Sequence, residues 1–401
     1  MKTSLYIVLF VAFIDTMGIG LIYPFFSSML FDTSYSLVPA TTSHEMRGLW
    51  LGVLLALMPL AQFFSAPVWG ALSDSKGRRN PLLWSLGLGI FGYVAALAGV
   101  AYSSIALLLF SRAIIGFAAG NMSIVQATIV DVSPDNEKTK NFGLYSMAQG
   151  VGFTLGPFIG GLLATGGYNV PFLFALLIIT SNLGLAVFFF RETHFQIFPQ
   201  KLHWNMGFVQ LKKAFRLTHI RAILFSSFLH NFAWSFFFEF IPVYLISRYL
   251  FTATDLGFFY GVAGGFYALS TGLLIRPFIA RFKPEILFFA GNVATALVIF
   301  SMLLTPSSLW IWPLLILMCY VVAFVTPTAT TIVSNSAAAK IQGEALGILG
   351  SVNSAALVIS PLFSGSMVGA YPELTMWVGS GMMLIAASVI FFAYGKRFFS
   401  M

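Results

Sequence analysis

Four ionisable side chains interrupt apolar stretches of this 401-residue chain: Asp15, Arg112, His230 and Glu239. A carboxyl can take up and release a proton, a guanidinium can hold a carboxylate, and an imidazole changes charge near neutral pH. Burying any of them in a long apolar run costs on the order of 3 kcal/mol, so each is a candidate for function. Asp15 stands about 11 residues into the first run, roughly 16 Å along a helix rising 1.5 Å per residue. Arg112 opens the pattern Arg112-x3-Gly116 and stands about 12 Å in from the opposite end of its own run, close to the same depth. Two readings follow for this couple: a pair made and broken as a proton moves, or a static ion pair. His230 falls near the depth of Asp15, but its neighbour Asn231 also allows a hydrogen-bonded packing role. Glu239 lies nearer the far surface and is read as a proton acceptor, a contact for a cationic substrate, or a gate bonded to a neighbouring helix. Around them come Trp234, Phe236, Phe237, Phe238, Phe240, Tyr260, Phe266 and Tyr267. Aromatic walls beside a carboxylate suit amphipathic cations, which makes Asn231, Trp234, Phe236 and Tyr267 candidate cavity residues. Three consecutive phenylalanines on one helix cannot all face a cavity, so most of the set is expected to pack.

The elements that must position these groups are apolar helices. The chain is 58% hydrophobic and 8% charged, with a mean hydropathy of +0.89, well outside the range of soluble domains. About 20 apolar residues span the ~30 Å hydrocarbon core of a bilayer. Twelve such segments can be drawn, at roughly 4–30, 47–72, 81–101, 104–131, 142–165, 168–190, 222–247, 255–280, 284–304, 309–334, 343–367 and 372–395. They use nearly the whole chain and leave no room for a soluble domain, so the expected class is an all-α membrane protein with twelve transmembrane helices. With the N-terminus cytoplasmic, all of the 21 Lys and Arg except Arg47, Arg112 and Arg248 lie in cytoplasmic loops, tails or span ends. That is the positive-inside pattern. The net charge of +8 therefore faces a membrane surface, both termini are expected in the cytoplasm, and no nucleic-acid partner is expected. Met1-Lys2 ahead of an apolar run resembles a secretion signal, but the run continues to about Leu30 without a small-residue cleavage site. It is read as a retained helix. Short loops and the single, membrane-embedded Cys319 suit a bacterial inner membrane. No Cys/His metal spacing, P-loop or nucleophile–base constellation occurs, so no metal, cofactor or enzymatic activity is expected.

Residues 191–221 carry six Lys or Arg, with Phe208, Leu211 and Phe215 at helical spacing beside Lys212, Lys213 and Arg216. An amphipathic helix lying on the cytoplasmic surface accounts for that pattern. It divides the chain into a bundle of six segments over 1–190, a linker over 191–221 and a second bundle over 222–401. The bundles read as distant copies. Gly143, Pro157 and Gly161 match Gly347, Pro361 and Gly365 at a constant offset, and Pro24 matches Pro242. Related halves are the general logic of secondary transporters.

Two further motifs concern gating and packing. Gly70-x3-Asp74-x2-Gly77-Arg78-Arg79 joins segments 2 and 3, its glycines permitting a tight turn. Gly143-x8-Gly152-x3-Gly156-Pro157-x2-Gly160-Gly161 runs along segment 5. Gly152, Gly156 and Gly160 repeat every four residues and open one face for close packing, while Pro157 withholds an N–H from the Phe153 carbonyl and permits a bend.

Together these motifs resemble the major facilitator superfamily, and the segment 5 motif resembles its twelve-helix drug/proton antiporters. The stretch Phe13-Ile14-Asp15-Thr16-Met17-Gly18-Ile19-Gly20, followed by Tyr23-Pro24, resembles the first helix of tetracycline/proton antiporters. The resemblance implies two pseudo-symmetric six-helix bundles around a central cavity, the major facilitator fold. It also implies a cytoplasmic latch in which Arg78 pairs with Asp131 and Asp74 faces the start of helix 11. The expected activity is proton-driven export of a small molecule by a monomer. An inward proton crossing ~100 mV supplies about 2.3 kcal/mol, enough for a roughly 50-fold gradient per net charge moved. The further acids in helices 3 and 9 and the histidine in helix 8 that mark tetracycline antiporters do not occur in the matching segments, where Glu285 sits only at the edge of segment 9. Tetracycline–metal export is therefore not expected; lipophilic drugs, siderophores and metabolites are the substrate classes left. A proton-coupled importer of a nutrient or siderophore is the alternative. A transporter-like receptor would need a signalling tail, and the sequence stops soon after Lys396-Arg397.

Overall fold

The computed structural model describes all residues except 1, 24, 32–34, 36, 135–136, 195–208, 210–211, 213–219, 337–341 and 400–401. Among the described residues there is no strand. Among the described residues eleven helices are long and apolar enough to cross a membrane: α1 Ser4–Phe31, α2 His44–Lys76, α3 Arg79–Ala101, α4 Ile105–Val132, α5 Lys140–Ala164, α6 Asn169–Phe189, α7 Arg221–Tyr249, α9 Pro284–Leu304, α10 Ser308–Ser336, α11 Ala345–Val368 and α12 Leu374–Gly395. The twelfth expected span is broken. Its α-helical part, α8, is Ala253–Leu269, and the chain then widens into a π-turn at Ser270–Leu274 before Arg276–Ile279. The Thr271 hydroxyl takes the Tyr267 carbonyl at 2.9 Å, and Pro277 has no N–H to offer. The backbone pairs Ile275 N–H with Ser270 O instead.

The helix pairings repeat. α1 packs along α5 and α6, α3 along α4 and α6; six helices later α7 packs along α11 and α12, and α9 along α10 and α12. The described residues form two compact units. One comprises Met1–Thr42, Leu57–Gly207 and Thr252–Gly261; the other comprises Ser43–Ala56, Phe208–Phe251 and Val262–Met401. Each includes one helix start from the other half of the sequence. In the first unit the start of α8 lies on α5, where a Cβ on Gly161 would come within 2.5 Å of Gly257 Cα. In the second the start of α2 lies on α11, where a Cβ on Gly365 would come within 2.6 Å of the Gly48 carbonyl. Gly161 and Gly365 are the pair matched by the sequence repeat, and both serve backbone-to-backbone contact.

Several of these spans are interrupted: α1 is helical over Lys2–Ile22 and Phe25–Phe31, and α10 over Ile311–Val322 and Val325–Ser336 with Ala323 and Phe324 at the joint. α4 is helical over Ile105–Ala119 and Met122–Val132, leaving Gly120 and Asn121 at the joint. α7 is helical over Arg221–Phe238 and Ile241–Tyr249, with Glu239 and Phe240 between them and Pro242 opening the second piece. Pro24, most of the amphipathic linker and the residues before α11 lie outside the described residues; of the linker, Val209 and Lys212 are helical and exposed.

Candidate functional site

The glycines of α5 set the position of α1. Carbons added at Gly152 and Gly156 would each meet an α1 backbone oxygen at 2.5 Å, that of Phe13 and that of Met17 respectively, and one at Gly160 would strike the Leu21 carbonyl. Gly161 serves α8 instead, and Gly143 faces open space. α5 runs without interruption past Pro157, and Pro157 packs against Gly20 of α1. With residues 13, 17 and 21 against α5, Asp15 and Gly18 turn toward α3 and α4.

There Asp15 Oδ2 accepts a hydrogen bond from Asn121 Nδ2 at 3.0 Å. Beside the pair is a cavity of about 20 Å³ lined by Asp15, Gly18, Ser85, Tyr93 and Asn121 among apolar residues of α1, α3, α4 and α6. Tyr93 is 4% exposed, and its hydroxyl rests over Gly18, where a Cβ would approach it to 2.8 Å.

Arg112 does not join this pair. Its guanidinium stands 5.1 Å from the centre of the Phe26 ring, a cation–π contact, in a residue 3% exposed. Asp15 lies level with Asn121, nine residues along α4 from Arg112 and therefore about 13 Å away along the axis. The expected equal depth came from counting each residue inward from opposite surfaces. Both helices have 28 residues, or about 42 Å, and overrun a ~30 Å core, so the two counts stop short of each other.

At the loop between α2 and α3 the polar groups are dense. Arg78, 4% exposed, donates from Nε to Asp131 Oδ2 at 2.8 Å, from a terminal nitrogen to Ser73 Oγ at 2.8 Å, and to the Asp74 carboxylate. Gly77 adopts φ +80°, and a Cβ there would run into the Glu192 carboxylate. Glu192 follows α6 and fastens the turn. Its Oε1 accepts from the backbone N–H of Arg78 at 2.7 Å and its Oε2 from that of Arg79 at 3.0 Å, while the N–H groups of Thr193 and His194 each reach Oε1 at 2.9 Å. Burial pushes this carboxyl up, and the four N–H groups outweigh it, holding it below the usual carboxylate range. Arg79 donates to the Phe190 and Val187 carbonyls at the end of α6, a favourable place for a cation. His194 Nδ1 stands 3.8 Å from Asp131. Gly70 lies in ordinary contact with Ser123 of α4.

The second unit holds a different arrangement. His230 is buried, and its Nδ1 donates to Asn292 Oδ1 at 2.9 Å, since Asn292 Nδ2 is committed to the Phe288 carbonyl. Asn231 donates to the Ser227 carbonyl, Trp234 stacks on Phe238 at 4.7 Å, and Phe236 is 1% exposed against Phe232. Tyr267 packs beside the small core of Ile275, Leu287, Ala323 and Phe324. Glu239 sits, half-buried, at the break in α7.

Asn121 and Glu192 are absent from the candidates drawn from sequence. Asn121 had a signal, an amide next to Gly120 in the middle of an apolar run; Glu192 was hidden among the charges of the linker.

A twelve-helix repeat with this loop cluster matches the Major Facilitator Superfamily, whose sequence pattern covers residues 8–361. The chain belongs to that family. It is 28% identical to a class C tetracycline resistance protein from Escherichia coli, over 96% of this chain and 94% of that protein. It is 27% identical to the quinolone resistance protein NorA of Staphylococcus aureus, over 97% and 96%. Among solved structures, the human organic anion transporter MFSD10 has a TM-score of 0.71 at 20% identity, covering 97% of this chain and 99% of that one. The nucleoside transporter NupG has a TM-score of 0.76 at 13% identity, over 97% and 99%. This member of the Major Facilitator Superfamily is thus a multi-pass membrane transporter.

Proposed function

We propose that this transporter is a proton-driven antiporter that exports a small amphipathic molecule, such as a drug-like compound, siderophore or metabolite, by alternating access. The observation that carries the reading is Asp15, a carboxyl in the middle of α1 whose hydrogen-bond partner is a neutral amide and not a base. A carboxylate held by a permanent counter-ion has little reason to take up a proton; one beside an amide can exist in either form. The resistance proteins that share about a quarter of its residues along nearly the whole chain support an export role. Arg112, Glu239 and His230 are secondary candidates for the proton path, and Asn231, Trp234 and Tyr267 for substrate contact. The glycines of α5 act by packing, holding the Asp15 stretch in place.

The same reading sets 1–190 and 222–401 as the moving halves, with 191–221 joining them. The basic loops support a topology with both termini on the cytoplasmic side of an inner membrane. The Arg78 cluster is then a cytoplasmic latch, and the working unit is a monomer. The test is proton-gradient-driven uptake of fluorescent amphipathic compounds into inside-out vesicles, native against Asp15→Asn. Gradient-dependent uptake lost in the variant supports the reading. Uptake retained in the variant moves the proton to Glu239 or His230, and gradient-driven movement in the opposite direction makes the chain an importer.

A further inference from the structure

Asn121 gives the Asp15 site a feature that a fixed hydrogen bond does not explain. Its Nδ2 is used on Asp15, while its Oδ1, in a side chain 2% exposed, has no hydrogen-bond partner among the described residues. Bare acceptors are rare in apolar interiors because nothing replaces the water they lose. An amide carries a donor and an acceptor at nearly equal reach, so a half turn exchanges them. The neighbouring cavity has about 20 Å³, above the roughly 10–15 Å³ that one water requires. Asp15, Asn121, Tyr93 and Ser85 supply its polar lining, enough to hold a water by two to four bonds.

We propose that this cavity holds one water and that Asn121 turns its amide with the charge of Asp15. While the carboxylate is ionised, Nδ2 donates to it and the water donates to Oδ1. When a proton joins the carboxylate, the new O–H donates to Oδ1, and Nδ2 swings to donate to the water oxygen. Asp15 gains one proton, Asn121 and the water gain none, and each amide atom has a partner in both states. Asn121 is thus a positioning residue that accepts either form of Asp15. It also occupies the joint of α4, whose second piece, Met122–Val132, carries the Asp131 that holds Arg78. Proton uptake is therefore read at the one place along α4 where the helix is already interrupted.

The titratable groups that feel the charge of Asp15 are Tyr93 of α3 and Tyr145 of α5; Arg112 of α4 lies farther along its helix, and α6 has no ionisable residue over Asn169–Phe189. The inference rests on Asp15 as the proton carrier. Its test is infrared difference spectroscopy, acid minus alkaline, on the full chain in liposomes with carbon-13 asparagine. Asp15→Asn and Asn121→Leu assign the bands, and oxygen-18 water marks the bound water. The expected spectrum has a carboxylic-acid band lost in Asp15→Asn, together with an asparagine carbonyl shift lost in both variants. A water band that moves in oxygen-18 water accompanies them. A carboxylic-acid band without the asparagine shift shows a fixed donor and overturns the proposal, as does the lack of a responding water band. A carboxylic-acid band that survives Asp15→Asn overturns instead the proton role of Asp15 beneath it. The labelled native chain gives the deciding bands without substitution, so a misfolded variant does not remove the test.

Discussion

Helices α1–α6 and α7–α12 share one set of pairings, yet their interiors are furnished differently. In the first set a carboxyl faces an amide at mid-helix, and a buried arginine gathers two carboxylates at the loop between the second and third helices. In the second set a comparable depth holds a hydrogen-bonded pair, His230 with Asn292. The loop after α8 carries Arg281 and Lys283 without the glycine–aspartate signature, and Arg281 is exposed. The lesson is that the scaffold repeats because close packing of small residues repeats, as at Gly161 and Gly365, whereas the ionisable groups differ between the halves, Asp15 and Arg112 in the first and His230 and Glu239 in the second.

The largest effect expected from this asymmetry is on transport. Asp15→Asn should lower proton-driven accumulation at least about 100-fold, equivalent to roughly 2.7 kcal/mol, whereas His230→Gln should change it less than about fivefold. Equal losses in flux assays on the two variants would break the comparison. Next comes stability at the loops. Arg78→Leu strands two carboxylates in a buried cluster and should cost about 3–5 kcal/mol, against less than about 0.5 kcal/mol for exposed Arg281→Leu, read by thermal unfolding in detergent. Within α5, Gly156→Val should cost about 1–3 kcal/mol through backbone collision with α1, and Gly143→Ala should stay within about 0.5 kcal/mol because nothing faces it.

The smallest effect sharpens the picture at the turn. Glu192 is held below its unfolded-state pKa, so its contribution is complete above the ordinary carboxylate range and disappears as pH falls through the folded value. Melting temperatures of native protein and Glu192→Gln, followed from neutral pH into the acid range, should therefore converge at low pH. At neutral pH the variant should be less stable by about 1–2 kcal/mol.

Much of this architecture was legible from residue order. Twelve apolar runs and the four-residue glycine spacing that receives α1 follow from local pattern, whereas the Arg78–Asp131 pair was expected from the family resemblance. What was not legible depended on geometry between helices. Depth counted from opposite ends misplaced Arg112 by about 13 Å, because helix length and bilayer thickness are different quantities. Asn121 and Glu192 are ordinary residues in sequence; each acquires its role from what another helix brings opposite to it. The π-turn in α8 lies between Thr271, whose hydroxyl donates to the Tyr267 carbonyl, and Pro277, and hydropathy does not register it.

Every member of the loop cluster, from Ser73 to His194, lies in the first half of the chain. Synthesis runs from the N-terminus, so a ribosome that has delivered residue 194 has already supplied Asp74, Arg78, Arg79, Asp131 and Glu192. The nascent chain can fasten α2, α3, α4 and α6 to one another while α7 is still untranslated. For the growing polypeptide this fastening can act as an early assembly step, and a fragment ending near residue 194 carries all of it.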